Sequence, residues 1–326
     1  MTVNNLPPLV TVFGGSGFVG RHVVRTLAKR GYRIRVAVRR PDLAGFLLPA
    51  GYVGQISLVQ ANLRYRQSVF KAVEGAAHVV NCVGIMFESG RNTFDAVQDF
   101  GARSVAEAAR AAGAKLIHIS AIGADADSPS SYARSKGRAE ATILSTIPDA
   151  VILRPSIMFG QEDSFFNKFA AMARTSPVLP LVGGGKTKFQ PVYVEDVAEA
   201  VARSVDGAIA SGRIYELGGA EVMTFRQCLE TMLRVTNREN TLVSLPFGIA
   251  SLIGSIASLI PFVAPPITSD QVKLLKVDNV VSAAAEHEGR TLAGIGIRPT
   301  LATSILPSYL VQYRPQGQYT GSGRAA

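Results

Sequence analysis

Leu9-Val10-Thr11-Val12-Phe13 runs straight into Gly14-Gly15-Ser16-Gly17-Phe18-Val19-Gly20, and an amphipathic segment follows at once. An apolar, β-branched run ending in glycines at every third position predicts a buried strand, a tight turn and a helix start. That arrangement holds a dinucleotide pyrophosphate. Gly14 allows a turn whose backbone angles a Cβ would forbid, and Gly17 lets the backbone approach phosphate. Gly20 removes the side chain where the helix must lie against the strand. Ser16 and Phe18 complete the turn, and the N–H groups at the helix start meet the negative charge.

The next apolar run, 33–38, ends in Arg39-Arg40-Pro41. An NAD site places an Asp or Glu near this strand end, to accept from the adenine ribose hydroxyls. Two guanidinium groups stand here instead, suited to bidentate pairing with a 2′-phosphate. Arg39 and Arg40 therefore point to NADPH, with NAD the less favoured cofactor. The competing reading is a solvated basic turn helped by Asp42. Along the same sheet edge, Asn62 and Leu63 after the third strand, and Val83 and Gly84 after the fourth, are expected cofactor contacts.

The chain has 326 residues and a net charge of +10, with its basic groups scattered rather than gathered in a tail. Such a charge favours an anionic partner: a phosphorylated cofactor, an acidic protein surface or lipid headgroups. It disfavours nucleic acid here, because no basic stripe interleaved with aromatics occurs. Hydrophobic residues make up 47% and charged ones 18%, which fits a globular chain with an unusually apolar surface somewhere. Cys82 and Cys228 lie far apart without metal-ligand spacing and read as buried thiols of a reducing compartment, so no metal site is expected.

Strands are predicted at 9–13, 33–38, 56–60, 77–81, 115–120 and 150–153, with helices near 18–30, 66–74, 93–112 and 132–147. Strand–helix alternation with continuous apolar strands means an α/β fold, a Rossmann-type doubly wound parallel sheet covered on both faces. The dinucleotide-binding domain is placed at residues 1–155 and a smaller C-terminal α/β lobe, interleaved with the sheet, at 156–312. That lobe takes in helices near 194–205 and 224–236 and a short strand at 213–217. Residues 313–326, rich in Gly, Gln, Ser and Arg, read as a disordered tail.

Ser120 follows the fifth strand, and twelve residues on comes Tyr132-Ala133-Arg134-Ser135-Lys136. Tyr and Lys four apart share one helix face. A lysine ammonium near a phenol favours phenolate, which makes Tyr132 the candidate acid/base and Lys136 its partner. Lys136 in that scheme also hydrogen-bonds the nicotinamide ribose.

Together with Arg154-Pro155-Ser156 and Pro191-Val192-Tyr193-Val194-Glu195-Asp196-Val197, these motifs resemble the short-chain dehydrogenase/reductase superfamily in its extended and atypical branches, over about residues 9 to 225. The resemblance implies that Tyr132, Lys136, Pro155 and Ser156 meet the cofactor, Pro155 and Ser156 near the nicotinamide. It also implies a hydroxyl just after the fifth strand, polarising a substrate carbonyl. Aligning Leu116-Ile117-His118-Ile119-Ser120-Ala121 on that strand puts Ala121 in the slot and Ser120 one residue early. Adjacent strand residues face opposite ways, so Ser120 cannot simply substitute; it is counted among the expected cofactor contacts. Losing one such donor costs about a hundred- to a thousandfold in rate. Binding survives this loss and turnover need not.

Arg39-Arg40-Pro41-Asp42, the run from Ser131 to Lys136, that from Arg154 to Asp163 and Lys276-Val277-Asp278-Asn279-Val280 are similar to a narrower family, the nucleotide-binding accessory subunits of respiratory complex I and their bacterial relatives. This resemblance implies a tightly held NADPH in a structural or redox-sensing role. Complex I subunits or a membrane surface are the implied partners, on the cytoplasmic face of a bacterial cytoplasmic membrane. The alternative is an active NAD(P)-dependent reductase, epimerase or dehydratase on a sugar nucleotide or another small carbonyl or hydroxyl substrate. A third reading is a regulator whose partner binding follows NADPH occupancy.

No charged residue occurs between Glu239 and Asp270. Within that span Ile249, Leu252, Ile253, Ile256, Leu259 and Ile260 repeat at helical spacing, opposite a small, weakly polar face. A helix of about fourteen residues is too short for a bilayer, which needs about twenty, so no transmembrane span is expected. Burial within the lobe, a place in the membrane interface and docking on a partner all remain open for it.

Overall fold

The computed structural model describes residues 6–257 and 268–316. The chain divides into two compact units, the first made of residues 1–155, 194–217 and 283–297, the second of the rest.

The first unit is built on a sheet of seven parallel strands. They are β1 (Leu9–Phe13), β2 (Arg33–Val38), β3 (Ile56–Gln60), β4 (His78–Asn81), β5 (Lys115–Ile119), β6 (Val151–Pro155) and a seventh, Ile214–Leu217. Across the sheet the order is seventh, β6, β5, β4, β1, β2, β3. The winding reverses between β1 and β4, and a ligand crevice lies outside the carboxyl ends of the strands at such a switch point. α1 (Phe18–Lys29) and the helix Val194–Val205 pack together on one face. On the other, α2 (Arg66–Val73), α3 (Phe100–Ala111) and α4 (Ser131–Thr146) bury Val69, Val105 and Ile143 against Phe13, Val79, Leu116 and Ile152. Burying both faces is what makes the strand sequences continuously apolar, each large side chain contributing about 1.5–3 kcal/mol.

Two local expectations change. Spacing along the chain assigns 194–217 to the smaller lobe, whereas the structure puts it in the first unit. Ile214 and Leu217 pair with Ile152 and Pro155 and extend the main sheet by one strand. A partner sixty residues upstream leaves no trace in local spacing. The single helix expected at 93–112 is a π-helix at Asp95–Asp99 that leads into α3.

The second unit gathers helices Phe166–Thr175, Phe225–Thr236 and Ala302–Leu310 around an aromatic core of Phe159, Phe166, Phe189 and Phe225. Three short strand pairs frame it: Met158–Phe159 with Val192–Tyr193, Lys188–Phe189 with Met223–Thr224, and Val178–Val182 with Thr241–Leu245. The uncharged helix is Phe247–Ala257, and the rest of its expected span, from 258, lies outside the described residues. Ala250 is buried beside Val182 and Val272, while Ile249 and Leu252 are 50% and 62% exposed. The described turn therefore seats by its small face and presents large side chains outward. Gly183 makes room for this seat, since a Cβ there would lie 2.2 Å from the Phe247 ring. Of the expected tail, residues from 317 lie outside the described ones, but its start is ordered. Arg238 donates to the Tyr313 carbonyl at 2.7 Å and Arg314 to that of Val235 at 2.9 Å.

Candidate functional site

The turn after β1 is shaped by the chain at two of its glycines and left open at the third. Gly14 adopts φ +72°, and its N–H donates to the Ala37 carbonyl at 3.1 Å. A Cβ at Gly20 would lie 2.2 Å from the Gly14 carbonyl oxygen, so α1 rests directly on the turn. Gly17, at φ −75°, has an ordinary backbone conformation, and a Cβ there would approach only the Gly14 oxygen, at 3.2 Å. The hydrogen Gly17 carries in place of a side chain thus opens a cradle outward, next to an α1 N-terminus that has no side-chain cap. A dinucleotide pyrophosphate fits these residues. Arg21 braces the turn, donating to the carbonyls of Gly17 at 3.3 Å and Ser16 at 3.1 Å. Phe18 lies edge-on to His22, their ring centres 6.0 Å apart.

The two arginines after β2 are not equivalent. Arg40 grips Asp42 through Nε at 3.0 Å and Nη2 at 2.7 Å. Its hydrogen bond to Asp42 raises the guanidinium's pKa and lowers that of the carboxyl. Arg39 is exposed and reaches Asn92 Oδ1 at 3.4 Å. The expected pair of guanidinium groups is therefore one available group and one engaged group. After β3, the Asn62 side-chain oxygen accepts from the Arg64 backbone at 3.1 Å, and Leu63 is buried in the core.

At the end of β4, Asn81 Oδ1 accepts from Val83 N at 3.1 Å and its Nδ2 meets His118 Nδ1 at 3.2 Å. Val83 packs on Gly14, while a Cβ on Gly84 would lie 3.5 Å from Lys136 Nζ. Lys136, 4% exposed, donates to the Ile119 carbonyl at 3.0 Å. Burial pulls its ammonium down to about 8, against the opposing pull of Glu140 and Cys82. The Tyr132 ring stands edge-on to Phe94 at 5.9 Å, and burial pushes its phenol up to about 12. The phenolate expected beside Lys136 is thus disfavoured here, because burial strips the hydration that a phenolate needs. Burial likewise raises the thiols of Cys82 and Cys228 to about 12.

Ser120 is buried and its hydroxyl donates to Glu140 Oε1, which also accepts from Arg154 Nε at 2.9 Å. Arg154 Nη2 donates to the other carboxylate oxygen of Glu140 at 2.5 Å. The hydroxyl is therefore occupied under α4, and Ala121 follows it with no donor of its own. Pro155 closes β6 in the first unit. Ser156 belongs to the second, where its hydroxyl donates to Asn279 Oδ1 at 2.7 Å. Asn279 Oδ1 also accepts from Ile157 N at 3.1 Å, and the Asn279 N–H donates to Lys188 O at 2.8 Å. The late Asp278-Asn279 motif is accordingly a clasp within the second unit.

Sequence reading misses two supporting residues. Gln98, presented by the π-helix, donates to the Ile85 carbonyl at 2.7 Å and accepts from Ser135 Oγ at 3.3 Å. Glu140 was legible, standing four residues beyond Lys136 on the same helix face. Among the described residues, no three His, Cys, Asp or Glu side chains gather as a metal site, and no helix is long and apolar enough to cross a membrane.

Known proteins resemble the chain along most of its length. A model of the NAD dependent epimerase/dehydratase family matches residues 10–218. The NADH dehydrogenase (ubiquinone) 1 alpha subcomplex subunit 9 of Arabidopsis thaliana is 33% identical over 325 residues, covering 96% of this chain and 80% of that protein. Its namesake from Rattus norvegicus is 33% identical over 295 residues, 90% of this chain and 77% of that one. A ceramide reductase of Caulobacter vibrioides is 34% identical over 190 residues, 58% of each chain. An NADPH-dependent quinone oxidoreductase of Escherichia coli, solved with NADPH, shares the fold at TM-score 0.71 and 22% identity, covering 92% of this chain and 99% of that one.

Proposed function

Because the chain belongs to the NAD dependent epimerase/dehydratase family, we propose that it is a nucleotide-binding accessory subunit of respiratory complex I, holding NADPH as a structural or redox-sensing element. Its place in this reading is the cytoplasmic face of a bacterial cytoplasmic membrane. One observation carries the proposal: the glycine cradle is complete, yet the Ser120 hydroxyl donates to Glu140 and the residue after it, which the family resemblance aligns with the carbonyl-polarising hydroxyl, is Ala121. Such a site binds a cofactor and turns over poorly. The relatives from Arabidopsis thaliana and Rattus norvegicus, named as mitochondrial subunits of NADH dehydrogenase (ubiquinone), support it by matching 96% and 90% of the chain.

In this reading the Gly14–Gly20 turn and the first N–H groups of α1 hold the pyrophosphate, Arg39 neutralises the 2′-phosphate and Lys136 donates to the nicotinamide ribose. A bound nicotinamide supplies hydride chemistry, and the chain withholds the donor that would direct it onto a carbonyl. The helix face bearing Ile249 and Leu252 is the surface assigned to protein partners. Purification in mild detergent followed by mass spectrometry of the nucleotide and of co-migrating proteins tests the proposal. NADPH and complex I subunits are expected together. A protein free of pyridine nucleotide and of any large assembly overturns it.

The retained Tyr132–Lys136 pair favours a second reading, an active NAD(P)-dependent reductase, epimerase or dehydratase on a small carbonyl or hydroxyl substrate. Tyr132→Phe then removes turnover while NADPH stays bound, and unchanged turnover excludes Tyr132 as the acid/base.

A further inference from the structure

The second guanidinium that the sequence seeks at the 2′-phosphate, and does not find in Arg40, stands one strand further along. β2 and β3 pair in parallel with Val38 beside Gln60, so the segments that follow them leave the sheet side by side. Arg39 follows β2 directly, and half-buried Arg64 stands four residues beyond β3. The loop after β4 crosses the end of β1 to reach both. Ser89 and Asn92 close a tight turn in that loop through paired backbone hydrogen bonds at 3.1 and 3.0 Å, with Gly90 at φ +54°. Arg64 Nη1 donates to the Arg91 carbonyl of the turn at 3.1 Å, and Arg39 Nη1 reaches Asn92 Oδ1 at 3.4 Å. Guanidinium groups from two different crossings are thus drawn onto consecutive residues. The exposed side chain of Arg91 adds a third positive charge to the same turn.

Among the described residues, Arg39, Arg64 and Arg91 form no ion pair, and every carboxylate between residues 39 and 99 can be accounted for. Asp42 is held by Arg40 at 2.7 Å, Glu88 accepts from the Phe94 N–H at 2.7 Å, and Asp99 lies 3.7 Å from Arg103. Glu74 precedes β4, at the opposite end of the sheet, and Asp95 is exposed at the start of the π-helix. The hydrogen bonds of the two guanidinium groups are also incomplete: Arg64 Nε lies 3.4 Å from Asn62 Oδ1, and Nη2 of both Arg39 and Arg64 makes none among the described residues. Like charges gathered without a counter-ion repel, and a bound anion offsets that cost. We propose that Arg64 is a second ligand of the coenzyme's 2′-phosphate, meeting it from the β3 side while Arg39 meets it from β2, and that Arg64 thereby helps set the preference for NADPH. The inference rests on the nucleotide-binding reading above and names a specificity-determining residue of the same site. Phosphate oxygens accept from two guanidinium forks at once, whereas the neutral hydroxyl of an unphosphorylated ribose calls for no such charge. Stapling the turn to the end of β3 would need a donor at this place but no positive charge.

That difference supplies the test, titration calorimetry of the full-length protein, stripped of nucleotide, with NADPH and with NADH. Arg64→Gln keeps an N–H donor for the Arg91 carbonyl and removes the charge. It should lower NADPH affinity about tenfold and leave NADH affinity unchanged. Combined with Arg39→Ala, it should abolish the discrimination between the two coenzymes. Unchanged NADH binding reports in each case that the variant is folded. The proposal is overturned if Arg64→Gln binds NADPH as the wild type does. It is equally overturned if NADPH and NADH affinities fall alike, which reduces Arg64 to a staple. Should Arg39→Ala alone erase the discrimination while Arg64→Gln changes nothing, this inference falls and the NADPH reading stands. A wild type that binds both coenzymes equally refutes the 2′-phosphate site altogether, and the part of Arg64 with it.

Discussion

Arg39 and Arg40 are neighbours in sequence with different fates in space. Arg40 is held by Asp42 and Arg39 lies exposed with one long contact to Asn92. Arg39→Ala should therefore weaken NADPH binding about tenfold to a hundredfold, the worth of one charge-assisted contact, and leave NADH binding unchanged. Arg40→Ala should cost far less. Titration calorimetry with both coenzymes checks this, and equal losses for NADPH and NADH refute the 2′-phosphate assignment. Lys136 supplies a pH signature. Burial lowers its ammonium from 10.5 to about 8, so between those values the unfolded chain binds a proton that the folded one has released. Stability contributed here rises with pH across that window, and below it the cost of burying the charge is fully present, about 3 kcal/mol. Against a Lys136→Met variant, the wild type should gain relative stability between about pH 8 and pH 10, read from urea unfolding. A flat difference would mean the ammonium is not desolvated.

The strand–turn–helix element carries a sharper test, because its glycines serve different ends. Gly20→Ala drives a methyl group to 2.2 Å from the Gly14 carbonyl oxygen. It should destabilise by about 1–3 kcal/mol or more, with a matching fall in Tm. Gly17→Ala meets the chain at 3.2 Å with φ −75° and should cost about 1 kcal/mol at most. Its effect should fall on NADPH affinity, lowered tenfold or more because the methyl group fills the cradle. Thermal unfolding and nucleotide titration of the two variants separate these roles. Equal effects on both quantities would deny Gly17 its place beside a ligand. The π-helix Asp95–Asp99 belongs to the same scale: one extra residue in the turn brings Gln98 to both the Ile85 carbonyl and Ser135.

Across the whole molecule, both units are assembled from separated stretches of chain. In the second unit Asn279 joins Ser156, Ile157 and Lys188, more than ninety residues away in sequence except by folding. Asn279→Ala removes the Oδ1 that accepts from the buried Ser156 hydroxyl and the half-buried Ile157 N–H, while the backbone bond to Lys188 stays, and should destabilise the unit by about 1–3 kcal/mol. Limited proteolysis within 156–193 and 218–282 should quicken accordingly. Unchanged cleavage would reduce the clasp to a surface contact.

Local spacing sufficed wherever the physics is local. Strand positions to within two residues, the glycine turn, the helix start at Phe18 and that expected at Tyr132 and found at Ser131 follow from period and backbone freedom within a dozen residues, and with them the parallel Rossmann-type sheet. The sheet's seventh strand was not legible, because its place depends on hydrogen bonds to β6 from far along the chain. Nor was the condition of the site's polar groups. Whether Arg40 is available, where the Ser120 hydroxyl goes and how far burial raises Tyr132 are settled by competition among neighbours that only folding brings within reach.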